Sequence, residues 1–156
     1  MYRYPFEEFI QESAVKFLEE NGWDIKSEAG LREHGIDIIA GKYGKYNTGR
    51  KWTIEVKGGS RKYKDFCHAD TISVFHSGLA EIITRMGVNN QPAVKGGNKF
   101  SLAMPDYFRK HILKTTSAKT KIPWNVMETL NLSILLVDKN GKVEHITWKE
   151  VKRDEN

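Results

Sequence analysis

Apolar and polar positions alternate along this chain in two different rhythms, and the rhythm changes mark its elements. Phe6, Phe9, Ile10, Ser13, Ala14 and Phe17 recur at helical spacing, which predicts an amphipathic helix from about Pro5 to Glu20, stopped at Asn21-Gly22. Trp23 to Ser27 reads as a first strand. Two short apolar strands follow, around Gly35-Ile36-Asp37-Ile38-Ile39-Ala40 and Trp52-Thr53-Ile54-Glu55-Val56-Lys57-Gly58, joined by a hairpin-like loop. Ala69 to Gly87 returns to the helical period, with Ile72, Phe75, Leu79, Ile82, Ile83 and Met86 as its stripe. Beyond the polar connection Asn89 to Asn98, Phe100 to Met104 reads as a strand, and Tyr107 to Leu113 and Trp124 to Leu130 as helices. Ser133 to Val137 and Val143 to Thr147 flank Asp138-Lys139-Asn140-Gly141-Lys142, where Asn-Gly is a hairpin signal. Lys149 to Asn156 reads as a frayed tail or a solvated helix end. The pattern is α/β, with no repeat, low-complexity tract or linker, and predicts a single domain over residues 1–156.

Three charged residues break the apolar strands. An unpaired charge in a buried strand costs several kcal/mol, on the order of a small domain's whole stability, so Asp37, Glu55 and Lys57 need a reason to be there. Alternation puts Trp52, Ile54 and Val56 on one face of their strand and Thr53, Glu55 and Lys57 on the other. Glu55 and Lys57 are then about 7 Å apart along one face. Asp37 reaches the same spot if the two strands pair through their loop. Such oxygen ligands suit Mg2+, which binds through one or two carboxylates and retains several waters. The Val56 carbonyl is a further candidate ligand, and Lys57 is placed to orient a water or to stabilise a pentavalent phosphate. Asp37, Glu55 and Val56 are thus the candidate metal ligands. The bland alternatives are a turn-proximal Asp37 and an ordinary ion pair of Glu55 and Lys57 on an exposed edge strand.

Charge sharpens this picture. The 156 residues are 39% hydrophobic and carry a net charge of +5, which fits one modest core and favours polyanionic partners. Lys42, Lys45, Arg50, Lys51, Lys57, Arg61, Lys62 and Lys64 lie between positions 42 and 64 against one acid, Glu55. The loop from Gly41 to Arg50 offers cations with Tyr43 and Tyr46 for a phosphate backbone beside the active site, or is simply a solvated hairpin. Arg61, Lys62 and Lys64 directly follow the Glu-x-Lys pair and are read as substrate contacts. A second basic stretch, Arg109, Lys110, Lys114, Lys119 and Lys121, reads more simply as solvated surface. No apolar run approaches the ~18 residues of a membrane span, and the N-terminus lacks a secretory apolar region. The single cysteine, Cys67, allows no internal disulfide and suits a reducing cytosol. These features predict a cytoplasmic protein without membrane partners. Of the five histidines, His34 could touch a phosphate but reads more simply as a loop residue, His68 beside Cys67 lacks the partner pair that zinc needs, and His76 near the apolar stripe of its helix reads as a packing residue.

Gly-Ile-Asp, a variable loop and Ile-Glu-Val-Lys together resemble the PD-(D/E)xK nuclease superfamily, with Holliday junction resolvase-like and Mrr-like members nearest in pattern. Gly35 stands where that family often has Pro. The resemblance implies a restriction endonuclease-like αβββαβ core, a mixed central sheet flanked by helices, here with a C-terminal strand hairpin. It implies a catalytic Asp37 on the second strand and Glu55 and Lys57 on the third, Mg2+ as cofactor with Mn2+ as a substitute, and DNA as partner. It also implies a contribution from the first helix, where Gln11 holds the resolvase-like position and Glu7, Glu8 and Glu12 lie within a turn. Homodimers are implied because resolvase-like members pair to cut two strands.

The leading expectation is therefore a metal-dependent DNA endonuclease, whether junction-resolving, restriction-type, Mrr-like or a repair nuclease. A nuclease-like fold that binds nucleic acid or mediates assembly without cutting is the second. A protein-interaction domain with incidental charge is the third, and it predicts no salt-dependent DNA affinity.

Overall fold

Six strands form one mixed sheet in the order β1-β2-β3-β4-β5-β6. The structure, a computed structural model, describes residues 3–28, 37–43, 49–59, 68–88, 98–113 and 122–155. Its elements are α1 (Glu7–Glu20), β1 (Asp24–Glu28), β2 (Ile38–Tyr43), β3 (Gly49–Val56), α2 (His68–Val88) and β4 (Asn98–Pro105). A 3-10 turn (Asp106–Phe108) then runs into α3 (Arg109–Ile112), followed by α4 (Trp124–Leu130), β5 (Leu132–Val137), β6 (Val143–Ile146) and α5 (Trp148–Glu155). β1, β2 and β3 pair antiparallel, β3, β4 and β5 pair parallel, and β6 returns antiparallel on β5.

The alternation read from the sequence determines the two cores. Ile10, Ala14 and Leu18 of α1 pack on Ile38, Ala40, Trp52, Ile54 and Val56, with Ala103, Leu135 and Val137 behind. On the opposite face, Phe75 and Ile82 of α2 meet Phe100, Leu102 and Met104, and Met127 and Val151 complete that layer. β3 is therefore an interior strand covered on both faces, which is why Glu55 is only 2% exposed. The exposed-edge alternative for Glu55 and Lys57 does not hold.

Local differences from the sequence reading have local causes. β2 begins at Ile38, so Asp37 stands at its mouth, and Lys57 lies one residue past β3. Ile83, expected in the α2 stripe, is 46% exposed because Leu79, Ile82 and Met86 take the core-facing arc. The tail is a helix, α5, opened by a capping box. Glu150 accepts from the Thr147 N–H at 2.8 Å and also bonds the Thr147 hydroxyl. The expected Asn-Gly hairpin is present, with Asp138 Oδ1 accepting from the Asn140 and Lys142 N–H groups at 2.8 and 2.9 Å.

Candidate functional site

Register brings the mouth of β2 to the end of β3. With Ile38 opposite Ile54, Asp37 falls beside the last residues of β3, and the Val56 N–H donates to Asp37 Oδ2 at 2.6 Å. Val56 itself points into the α1 core, while Glu55 and Lys57 face α2. The Lys57 N–H continues the parallel ladder to the Ala103 carbonyl at 2.8 Å, which fixes where its side chain departs.

The ammonium of Lys57 lies 3.6 Å from Glu55 Oε1 and 2.9 Å from Glu81 Oε1. Glu81 is on α2 and also accepts from the Ser77 hydroxyl at 3.2 Å. Gly78 makes this approach possible: a Cβ there would sit 3.0 Å from Lys57 Cγ and 3.2 Å from Leu102 Cδ2. Gly58 does the same for α1, since a Cβ at that position would be 2.4 Å from the Glu7 nitrogen. The Gly59 N–H donates to the Pro5 carbonyl at 2.8 Å, tying the segment after β3 to the start of α1. Glu7 is thereby drawn to the site.

Four carboxyls, those of Glu7, Asp37, Glu55 and Glu81, feel one ammonium. Burial, the neighbouring Glu81 carboxylate and Asp37 push Glu55 up to about 9. Asp37 is raised by burial, with the Val56 N–H pulling the other way. Glu7 is raised by burial and by the charge of Asp37. Glu81, sharing a hydrogen bond with Glu55 and another with Lys57, is lowered to about 2. Burial alone would lower Lys57, yet the contact with Glu81 and the charges of Glu55 and Glu7 hold it above its ordinary value. A proton on Glu55 can be shared with Glu81 or Asp37, but as a carboxylate its buried Oε2 has no donor. A concentration of negative charge with an orphaned buried oxygen is an environment that a cation stabilises.

The residues fit a hard divalent ion in donor type, with Asp37 and Glu55 as oxygen ligands, a number that Mg2+ accepts. Among the described residues, no three His, Cys, Asp or Glu side chains form a group that could hold a metal ion by themselves.

The remaining sequence candidates divide by position. Gln11 donates to Glu28 Oε1 at 3.0 Å, so it meets β1, and Glu7 is the helix residue coupled to Asp37. Lys51 shares the Glu55 face of β3, about 13 Å back along the strand. Lys42 and Arg50 pair across the hairpin end of β2 and β3, at the opposite end from Lys57. An antiparallel hairpin forces this, because its turn lies away from the strand ends that carry Asp37 and Lys57. These two cations are consequently not beside the carboxylates. Arg109 pairs with Glu144. Gly35, Ile36, Lys45, Tyr46, Arg61, Lys62, Lys64, Cys67, Lys114, Lys119, Lys121 and His34 lie outside the described residues, as do the side chains of Tyr43, His68 and His111.

Sequence reasoning missed Glu81 as a site residue; its signal was that, Asp70 apart, it is the one acid of the helix that follows the Glu-x-Lys strand. It also missed His145, whose ring bonds the Ser133 hydroxyl at 2.8 Å. That contact ends a buried row in which Trp52 Nε1 donates to Ser101 Oγ at 2.8 Å and Ser101 meets Ser133 at 2.6 Å. No protein-family profile, curated protein or solved structure matches the chain. Among the described residues, no helix is long and apolar enough to cross a membrane.

Proposed function

We propose that the protein is a metal-dependent DNA endonuclease of the PD-(D/E)xK type, cutting phosphodiester bonds at Asp37, Glu55 and Lys57. The convergence of these three residues at one corner of the sheet carries the reading, because each alone is commonplace and their meeting spans two strands. The element order α1-β1-β2-β3-α2-β4 agrees with the αβββαβ core that the resemblance implies.

Asp37, Glu55 and the Val56 carbonyl would hold Mg2+ or Mn2+. The ion would supply Lewis-acid polarisation of the phosphate and a more acidic water. Lys57, steered by Glu55 and Glu81, presents its ammonium to the phosphate as negative charge develops. Glu7, with its raised carboxyl, is placed to accept or return a proton at the rim. Lys51, further along the same face of β3, is placed for an adjoining phosphate. Gln11, the α1 residue that the resemblance implies, bonds Glu28 on β1.

One observation favours a second reading, a nuclease fold that binds nucleic acid or mediates assembly without cutting. Asp37 is engaged by the Val56 N–H and Glu55 by Lys57, so the carboxylates have partners without an ion. Incubation with supercoiled, linear and four-way-junction DNA, in Mg2+, Mn2+ or chelator, separates the two. Metal-dependent cutting that Asp37→Ala and Glu55→Ala each abolish supports the nuclease, whereas binding without cutting in any metal supports the second reading. Pairing into homodimers is part of the nuclease proposal and is read from the oligomeric state in the same preparations.

A further inference from the structure

At the end of the sheet remote from Lys57, three cations gather over two buried indoles. Lys42 and Arg50 are cross-strand partners, and Lys99 of β4 is the partner of Trp52. Lys99 Nζ lies 4.9 Å from the Trp52 ring centre and 5.5 Å from that of Trp23, and Lys42 Nζ lies 5.5 Å from Trp23. Lys42 also donates to the Asn21 carbonyl at the end of α1, at 3.1 Å. Among the described residues, none of Lys42, Arg50 and Lys99 forms an ion pair with a carboxylate.

Cation-π contacts orient an ammonium but leave its charge uncompensated. Lys99 shows the consequence, since burial and the charges of Arg50 and Lys42 hold it below its ordinary value. Beside Lys99 opens a cavity of about 190 Å³, lined also by Asn131, Ser133, His145, Thr147 and Lys149. Among the described residues, no acidic side chain lines it. Positive groups thus extend over β2, β3, β4 and the start of α5, which suits a chain of phosphates more than a single anion.

We propose that this end of the sheet is a phosphate-binding surface for a nucleic-acid strand, with Lys42, Arg50 and Lys99 on successive phosphates and the cavity beside Lys99 receiving one of them. It is distinct from the carboxylate site. Arg50 lies about 23 Å from Lys57 along β3, on the opposite face of the sheet. The strand would release the counterions now balancing these cations, so binding falls steeply with salt.

The test uses a fluorescently labelled, 5′-phosphorylated single strand of about 12 nucleotides, and separately inorganic phosphate, both in chelator so that no cleavage intervenes. Lys42→Gln combined with Arg50→Gln is expected to weaken strand binding about tenfold at low salt and to lower the salt slope by about 0.7 per cation removed. Lys99→Met is expected to act in the same direction, and the exposed pair decides alone if that half-buried variant does not fold. Lys139→Gln, which removes an exposed cation of the β5–β6 turn that belongs to neither site, is expected to bind the strand as the unaltered protein does. Unchanged binding in the double variant, an equal loss in Lys139→Gln, or no binding by the unaltered protein would overturn the proposal. So would inorganic phosphate binding as tightly as the strand, which would make this a small-anion site. Because the measurement needs no metal and no cutting, its failure leaves the nuclease reading standing, and the reverse also holds.

Discussion

Asp37 and Val56 are joined by a hydrogen bond of 2.6 Å from the Val56 N–H to the Asp37 carboxylate. The bond closes the gap between the mouth of β2 and the end of β3, so this carboxylate has a structural task beside the chemical one proposed for it. Its two tasks separate on substitution.

Asp37→Asn keeps an oxygen for the Val56 N–H and is expected to stay within about 1 kcal/mol of the unaltered stability, while losing metal-dependent cutting. Asp37→Ala leaves that N–H without its partner and is expected to cost about 1–2 kcal/mol, with the same loss of cutting. Urea midpoints in chelator, set beside cleavage of supercoiled DNA, distinguish the two. Equal stability of both variants would show that the bond contributes nothing.

Glu55→Gln removes a buried carboxylate from among Asp37, Glu81 and Glu7. In chelator the variant is expected to be as stable as the unaltered protein or more so, because the burial and the neighbouring carboxylates that raise Glu55 no longer act on an ionisable group. In Mn2+ the order is expected to reverse, since only the unaltered protein gains stability by binding the ion. Thermal unfolding with and without Mn2+ reads both effects.

Lys57 and Glu81 form an unequal pair, their side chains being 18% and 41% exposed. Glu81→Gln is expected to cost less than about 1 kcal/mol, because solvent screens the lost charge. Lys57→Met strands buried carboxylates and is expected to cost more, about 1–3 kcal/mol. Both are expected to slow cutting, Lys57→Met the more. Denaturant unfolding and single-turnover cleavage check the order.

His145 provides the pH dependence. Burial and the charge of Lys99 lower it to about 4, whereas the unfolded chain takes up the proton near the ordinary value of 6.5. Between those values the unfolded state binds more protons, so stability is present above about 6.5 and is lost as pH falls toward about 4. The loss of stability between pH 7 and pH 4.5 is expected to be smaller in His145→Gln, as measured by urea unfolding. An identical slope in both proteins would remove His145 from this role.

Much of this architecture was legible in local pattern. The period-two alternation of Trp52, Ile54 and Val56 against Thr53, Glu55 and Lys57 is the division between the two cores. Asn140-Gly141 marked the last hairpin, and the α1 and α2 stripes differ from the observed helices mainly at Ile83. What was illegible is long-range. Glu81 meets Lys57 only because Gly78 lets α2 close on β3, and Glu7 approaches only because Gly58 leaves room for α1. The placement of Lys42 and Arg50 was available from hairpin geometry alone, since a turn cannot lie beside the free ends of its own strands. Thr147 and Glu150 also spelled a capping box, so α5 was a helix that the sequence announced.

The central claim is that Asp37 and Glu55 share one divalent ion. Crystals grown with Mn2+ and measured at a wavelength where manganese scatters anomalously test it directly. The expected result is a peak within ligand distance of both carboxylates, absent in Glu55→Gln. A map with no peak there, or with Asp37 and Glu55 still bound only to Val56 and Lys57 at saturating Mn2+, would contradict the claim.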